Sequence, residues 1–318
     1  MRLRRFAIAV ALAVAGVPLL LGLTAVVSFY ALFYFPNRTT ARAGTIVSSG
    51  VTREYLLYVP KSYDPARPTP LVISMHPAMS WPSSQMNISH WNAVADENGL
   101  IVVYPAGTGS GPRTWFMEGR RTPSRMPDIV FLSQLIDALE ASYNVDPARI
   151  YADGLSNGGG MAFALSCALP DRIAAVGMVS AARSLDWGGC ADHPPVPVIA
   201  FHGTADPVVP YGGGSTLVGP DVFPSVPGFT AEWARRNRCQ PTPIESAATP
   251  DVARLEYTGC AENAGVVLYT VKGGGHQWPG GRRLPEFLVG PYTRDLDATR
   301  QEWSFFREHP RRPPPASG

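Results

Sequence analysis

The stretch from Ile150 to Met161 constrains this chain more than any other part of its sequence. A short apolar run rich in β-formers ends in Gly154-Leu-Ser-Asn-Gly158, and residues 161–169 continue with the apolar spacing of a helix. Small residues around a serine between a strand and a helix are typical of a nucleophile elbow, where the turn leaves little space for side chains. We therefore expect Ser156 on a strained turn at a sheet edge, with a helix N-terminus behind it that favours negative charge. The alternative is a glycine-rich loop in which the serine is incidental.

Two loops further along the chain offer the groups that a nucleophilic serine needs. One apolar run, residues 196–201, leads into His202-Gly-Thr-Ala-Asp206, and a second, residues 266–271, is followed by three glycines and His276. Both loops lie just beyond predicted strands, at the edge where open α/β sheets carry their sites. Because a serine hydroxyl needs a base and the base needs an orienting acid, the sequence predicts Ser156 as nucleophile, His276 as general base and Asp206 as acid.

An acyl-transfer site also needs two backbone N–H groups for the oxyanion. One follows the nucleophile and would be that of Asn157. The other is expected in the loop after an early apolar strand, within residues 71–79. Pro77 has no N–H, so we expect Ala78 to donate, with Met79 as the alternate.

Predicted strands and helices alternate along residues 51–309, which indicates one α/β domain with a mainly parallel central sheet and helices on both faces. Residues 310–318 are rich in arginine and proline and are expected to be a disordered tail. The formal net charge of +2 argues neither for nor against an anionic partner, and no nucleic-acid signature is present. No Cys-x-x-Cys or Cys/His cluster suggests a metal site, and no cofactor is expected.

The N-terminal segment is almost uniformly apolar over residues 6–35 and is preceded by three arginines. A bilayer core needs about 20 such residues, so residues 1–35 are expected to be a membrane anchor, joined to the domain by a polar linker over 36–50. A cleaved signal, with a small-x-small site at Ala41-Arg-Ala43, is the alternative, but its apolar core is normally about 7–15 residues. Both interpretations place residue 44 onward outside the cytoplasm.

The four cysteines all lie in the exported part of the chain, and their even number suggests two disulfides in an oxidising compartment. Four cysteines allow three pairings, and the alternative is free buried thiols. We favour the two sequence-local pairs, Cys167–Cys190 and Cys239–Cys260.

Three blocks of sequence carry a resemblance to a known family. They are Asp146–Gly159, Ala200-Phe-His-Gly-Thr-Ala-Asp-Pro-Val-Val-Pro-Tyr211 and Gly273-Gly-Gly-His-Gln-Trp-Pro-Gly280. With weaker similarity over residues 52–308, the chain resembles the secreted esterases grouped as poly(3-hydroxybutyrate) depolymerase-like proteins and feruloyl or acetyl xylan esterases. The resemblance implies the α/β-hydrolase fold, a triad of Ser156, Asp206 and His276, and the same two local cysteine pairings.

The chain departs from this family at the loop that follows the early strand. The family usually has His-Gly-Cys there, whereas this chain has His76-Pro-Ala78. Since Pro77 has no N–H, the oxyanion hole would depend on the residues after it.

The expected function is ester hydrolysis through an acyl-enzyme, with hydroxyalkanoate polyesters or oligomers, or feruloyl and acetyl esters of polysaccharides, as substrates. We expect Trp115 and Trp278 to pack against an aromatic or polymeric acyl group, although loop packing is an equal alternative for Trp278. Two other functions stay open: a serine peptidase with the same triad, and a non-catalytic binding module at the cell surface. The sequence gives no expectation for the oligomeric state.

Overall fold

The computed structural model describes residues 41–117, 126–216 and 222–311. Within these ranges, ten strands form one sheet in the order β1-β2-β4-β3-β5-β6-β7-β12-β11-β10, and two short strands pair separately. The strands of the large sheet are β1 (Arg42–Ser48), β2 (Val51–Tyr58), β3 (Thr69–Met75), β4 (Ile101–Pro105), β5 (Val145–Leu155), β6 (Ala175–Val179), β7 (Val198–Gly203), β10 (Ile244–Thr249), β11 (Val252–Tyr257) and β12 (Val266–Val271). The separate pair consists of β8 (Gly214–Ser215) and β9 (Val222–Phe223).

The six central strands, from β4 through β3, β5, β6 and β7 to β12, run parallel, and antiparallel strands extend the sheet at both edges. Parallel strands are covered on both faces and therefore read as continuous apolar runs. β3, β4 and β6 are buried at every position, whereas β10 at one edge is almost entirely exposed. The parallel centre brings the carboxyl ends of β3, β5, β6, β7 and β12 to one edge of the sheet.

Helices cover both faces, as the alternating pattern predicts. They are α1 (Pro82–Ser89), α2 (Trp91–Asn98), α3 (Pro127–Ser142), α4 (Asn157–Ala168), α5 (Val226–Arg236), α6 (Glu286–Val289) and α7 (Ala298–Glu308). Apolar side chains of α3, α4 and α5 pack in one core cluster, and those of α1, α2 and α7 pack in another. The side chains of Ser225 and Asp297 cap the first turns of α5 and α7 by accepting backbone N–H groups.

The domain begins earlier than the sequence analysis places it. Residues 42–48, expected within a linker over 36–50, form β1 and pair antiparallel with β2. Ser49 and Gly50 join the two strands with φ values of 51° and 78°, the left-handed conformations of a tight hairpin turn. The Ser-Gly dipeptide was the available signal for this hairpin, and the polar composition around it concealed the strand.

The predicted membrane anchor or signal, residues 1–35, lies outside the described residues, as does most of the predicted C-terminal tail over 310–318. In the part of the chain that the structure describes, no helix is long and apolar enough to cross a membrane.

Both predicted disulfides are present. Cys167 of α4 is bonded to Cys190, and Cys239 is bonded to Cys260, which leaves no cysteine free. The first bond ties the helix that follows Ser156 to the segment after β6. The second ties the segment just after α5 to the segment between β11 and β12.

Candidate active site

Ser156 lies at the junction between β5 and α4, where it is the N-cap of the helix. Its backbone has φ 56° and ψ −117°, a conformation that L-residues rarely adopt, and its N–H donates to Val179 O at 2.8 Å. The two flanking glycines leave space that no side chain could share. A Cβ on Gly158 would stand 2.1 Å from Met75 O, and one on Gly154 would stand 2.4 Å from the carbonyl carbon of Gly158. The strained turn therefore depends on both glycines, as the sequence predicted.

Asp206 and His276 come together as a buried, hydrogen-bonded pair. His276 Nδ1 lies 2.8 Å from Asp206 Oδ2, and both side chains are almost completely buried. Asp206 Oδ1 accepts the N–H groups of Val208 and Val209, each at 2.8 Å. Burial alone would raise the pKa of Asp206, but the hydrogen bonds and charges of His202 and His276 hold it well below its usual range. The carboxylate is therefore ionised at neutral pH and keeps a proton on His276 Nδ1.

The loop that carries His276 is fixed by its own backbone and by its neighbour Gln277. The His276 N–H donates to Val289 O at 2.5 Å. The Gln277 amide donates to Leu284 O and Gly290 O and accepts the Leu284 N–H. These bonds hold the loop against the segment that contains α6, so the imidazole sits on a rigid support.

The serine turn and the histidine loop are both anchored at the end of β6. Val179 O accepts the Ser156 N–H, and the next side chain, Ser180 Oγ, lies 3.5 Å from Gln277 O. The structure thus brings all three predicted residues to one edge of the sheet, with Asp206 and His276 in direct contact. Among the described residues, Ser156 Oγ has no hydrogen-bond partner.

His76, at the start of the loop after β3, organises that loop. Its Nε2 accepts the Gly107 N–H at 3.0 Å, so Nδ1 carries the proton and donates to Pro77 O at 2.7 Å. Burial lowers the pKa of His76 to about 4, which leaves the ring neutral at physiological pH. The indole N–H of Trp115 donates to His76 O at 2.9 Å, which adds a third point of attachment.

The two candidate oxyanion donors in this loop differ in their contacts. The Met79 N–H donates to Thr114 Oγ1 at 3.3 Å, and Met79 has φ 55°. The Ala78 N–H has no hydrogen-bond partner in the part of the chain that the structure describes. Asn157 begins α4, so its N–H has no acceptor within the helix. Ala78 and Asn157 therefore retain the backbone donors that the sequence proposed.

Neither tryptophan lies where a substrate could touch it. The substrate contact predicted for Trp115 is therefore wrong, and Trp278 shows the loop packing that was its equal alternative. They are 1% and 0% exposed. The Trp115 backbone is held by the Asn157 side chain at 2.7 and 3.1 Å, and the Trp278 indole donates to Thr299 Oγ1 at 2.9 Å. Both rings are used to build the loops beside the site, because a large ring with one N–H packs best where that N–H finds an acceptor.

Two exposed phenylalanines lie on segments next to the site. Phe116 follows Trp115 and is 54% exposed, and Phe287 lies on α6 and is 86% exposed. Sequence alone cannot separate an exposed ring from a buried neighbour in an irregular loop.

His202 also contacts the site, although the sequence analysis assigned it no role. Its Nε2 lies 3.3 Å from Asp206 Oδ2. Its position four residues before the acid was the available signal. The described residues contain no group of three or more His, Cys, Asp or Glu side chains arranged to hold a metal ion.

Comparison with known proteins finds a matching family model and similar esterases. The family model described as Esterase PHB depolymerase matches residues 53–188. The putative esterase NocK of Nocardia uniformis subsp. tsuyamanensis is 32% identical over 268 residues, which are 76% of this chain and 75% of NocK. Feruloyl esterase B of Piromyces equi is 32% identical over 244 residues, which are 74% of this chain and 45% of that protein. The chain thus spans less than half the length of some of the curated relatives that it matches.

Among solved structures, the acetyl xylan esterase from Aspergillus awamori superimposes with a TM-score of 0.55 at 16% identity, over 74% of this chain and 94% of that one. That likeness defines the class of the fold: an α/β hydrolase. Sequence identity then gives the family. The chain belongs to the poly(3-hydroxybutyrate) depolymerase-like and feruloyl esterase family of carboxylic ester hydrolases.

Proposed function

We propose that this protein hydrolyses carboxylic esters by two acyl transfers, with Ser156 as nucleophile, His276 as general base and Asp206 as orienting acid. The observation that carries the proposal is that a strained serine and a buried His–Asp pair lie at the same edge of the sheet. The serine turn ends β5, and the pair lies beyond β7 and β12. Family membership supports the same chemistry.

The tautomer of His276 sets the direction of proton transfer. Because ionised Asp206 accepts a hydrogen bond from Nδ1–H, the proton stays on Nδ1 and the Nε2 lone pair is free to take a proton. In the first step Ser156 Oγ attacks the ester carbonyl carbon while His276 Nε2 removes the hydroxyl proton. The imidazolium then gives that proton to the alkoxide leaving group as the carbon–oxygen bond breaks. Water repeats the sequence on the acyl-enzyme, releases the acid and restores the serine.

The oxyanion of each tetrahedral intermediate would accept hydrogen bonds from the N–H groups of Asn157 and Ala78. Both donors lie at the same edge of the sheet. The serine turn and the end of β3 approach each other closely there, because Gly158 has no side chain and packs against Met75 O. Removing one such donor typically costs about 3 kcal/mol of barrier height. The absence of a hydrogen bond between Ser156 Oγ and His276 is compatible with this mechanism, because catalytic hydrogen bonds are often loose before substrate binds.

The substrate class that fits is an ester with an apolar or aromatic acyl group. Hydroxyalkanoate oligomers and feruloylated polysaccharides both contain such esters. Phe116 and Phe287 supply exposed rings on the segments that flank the site. One relative is named as a feruloyl esterase and a second as a bifunctional acetylxylan esterase/xylanase. We place the domain outside the cytoplasm, anchored or secreted, since its two disulfides need an oxidising compartment to persist.

The first test uses purified full-length protein, with Ser156→Ala as the matched variant. p-Nitrophenyl acetate, methyl ferulate, acetylated xylan and 3-hydroxybutyrate oligomers would be assayed, together with labelling by a fluorophosphonate probe. We expect wild type to be labelled and to turn over at least one of these esters, and Ser156→Ala to lose labelling and roughly 10⁴- to 10⁶-fold in kcat.

Three outcomes would contradict the proposal. Equal turnover by Ser156→Ala would remove the serine from the mechanism. Failure of folded wild type to take up the probe would favour a non-catalytic binding module. Cleavage of peptide substrates in preference to every ester would favour a serine peptidase.

A further inference from the structure

His202 is a second buried histidine in contact with the acid of the proposed triad. It lies in β7, four residues before Asp206, and is 1% exposed. Its Nε2 lies 2.8 Å from Val209 O and 3.3 Å from Asp206 Oδ2. A carbonyl oxygen can only accept, so Nε2 must carry the proton. Nδ1 is buried and has no hydrogen-bond partner among the described residues.

The same bonds close the loop that follows Asp206. Val209 offers its N–H to Asp206 Oδ1 and its carbonyl to His202, so the acid and the second histidine hold opposite sides of one residue. The Nε2–H of His202 also lies close to Oδ2, the oxygen that His276 uses. Two imidazoles therefore converge on a single carboxylate oxygen, while backbone N–H groups hold the other.

The groups around His202 indicate no other role for its ring at this position. Tyr211 packs edge-on against its ring and donates or accepts at Thr270 Oγ1, so the tyrosine hydroxyl is engaged elsewhere. Among the described residues, the titratable side chains in contact with the ring are those of Asp206 and Tyr211. At the end of β7, a Cβ on Gly203 would stand 2.1 Å from Gly274 O, so this strand end is pressed against the loop that carries His276.

We infer that His202 is a positioning residue: its Nε2–H fixes the Asp206 carboxylate and the loop behind it, so that Oδ2 is aimed at His276. The inference rests on the proposed function, because its effect on rate needs Asp206 to act through His276. The geometric part of the inference, that the Nε2–H orients the carboxylate, can be tested without measuring a rate. Without the Nε2–H, the carboxylate would keep its bonds through Oδ1 and could turn about that anchored oxygen.

Three substitutions in the full-length protein separate this role from simple packing. His202→Gln keeps an N–H donor at the distance of Nε2. His202→Asn places its amide nearer the backbone, at the distance of Nδ1, and His202→Leu has no donor. For each variant, kcat and KM for p-nitrophenyl acetate would be measured per active site, with sites counted by fluorophosphonate titration so that misfolded protein does not contribute.

We expect His202→Leu and His202→Asn to lower kcat per site by roughly 10- to 100-fold, by analogy with residues that orient metal-binding side chains, with KM nearly unchanged. His202→Gln should stay within a few-fold of wild type. The deshielded proton NMR signal of His276 Nδ1–H, bonded to Asp206, should persist in the Gln variant and shift or broaden in the other two.

Two results would overturn the inference. One is a His202→Leu enzyme with wild-type kcat per site, and the other is a His202→Gln enzyme as slow as His202→Asn at equal thermal stability. If the Leu variant does not fold, the comparison of Gln with Asn decides. If wild type itself shows no Ser156-dependent turnover, the proposed function fails, and an NMR signal of His276 unchanged by His202→Asn would then overturn the positioning role separately.

Discussion

Two acidic sites are buried in the same sheet, and their surroundings are opposite. Asp206, beyond β7, is contacted by two backbone N–H groups and two imidazoles. Asp153, on β5, lies beside Glu302 of α7, and both are fully buried. The Trp91 indole N–H donates to Asp153, and the carboxyl groups of Asp153 and Glu302 hydrogen-bond to each other, with no other donor to Glu302 within the described ranges. Both acidic sites are thus buried, and they differ in how many hydrogen-bond donors surround the carboxyl groups.

The pKa values follow the donors. At Asp206, donors overcome burial and hold the pKa below its usual range. At Asp153 and Glu302, burial raises the pKa of each carboxyl, Glu302 is raised further by the charge of Asp153, and the donors near Asp153 offset only part of its rise. The first site keeps a fixed negative charge for its histidine. The second site is shifted toward its protonated form, and its Asp153 lies on β5, the strand that leads to Ser156.

Of the changes that test this contrast, Asp206→Asn should have the largest effect. An amide cannot serve as an anionic acceptor, so it would no longer hold the proton on His276 Nδ1 or stabilise the imidazolium. We expect kcat for p-nitrophenyl acetate to fall by roughly 10⁴-fold, the loss typical of this change in a serine triad. Steady-state kinetics at pH 8, with titrated sites, would measure it.

Asp153→Asn is the matched control, since it makes the same change at the other buried acid. It should alter kcat by only a few-fold, because Asp153 holds no base in the proposed mechanism. Similar losses in both variants would mean that the two acids are not functionally distinct, and would remove the basis for assigning Asp206 to the triad.

The sequence predicts a site well when the residues that encode it lie close together in the chain. The elbow around Ser156 was predictable because two glycines and a serine over five residues encode one strained turn. Asp206 and His276 were predictable because parallel strands deliver their following loops to one edge of the sheet. In each case a short motif next to an apolar run carried the information, and the strand topology supplied the rest.

The second acidic site could not be predicted, since Asp153 and Glu302 are 149 positions apart and meet only after α7 packs on β5. Nothing near Glu302 distinguishes it from an ordinary polar position on a surface helix. The burial of Trp115 was equally hidden, because its acceptor, His76 O, and its clamp, Asn157, come from different loops. Long-range partners of this kind decide whether a side chain faces a substrate or the core.

Gly177→Ala tests how tightly the second site is packed. A Cβ at Gly177 on β6 would stand 2.3 Å from Glu302 Oε1 and 3.1 Å from Asp153 Cβ, so the methyl group has no room. We expect the free energy of unfolding in urea to fall by roughly 2–3 kcal/mol, in the range for overpacked cores. In a Glu302→Ala background the same change should cost clearly less, because the competing carboxyl is gone. Equal costs in both backgrounds would show that Gly177 is not required for Glu302 to fit.

Glu302→Gln should have the smallest effect, and its sign depends on pH. Because the folded-state pKa of Glu302 is raised, the unfolded chain releases this proton first as pH rises, so wild type loses stability from about pH 4 upward toward the folded pKa. Glutamine keeps the shape and cannot ionise, so that loss is removed. We expect nearly equal unfolding free energies at pH 4 and a gain of roughly 1–2 kcal/mol for the variant at pH 8. Urea unfolding with both disulfides intact, at pH 4, 6 and 8, measures the difference. A pH-independent difference would mean that Glu302 ionises normally in the fold, and the contrast between the two acidic sites would then come from Asp206 alone.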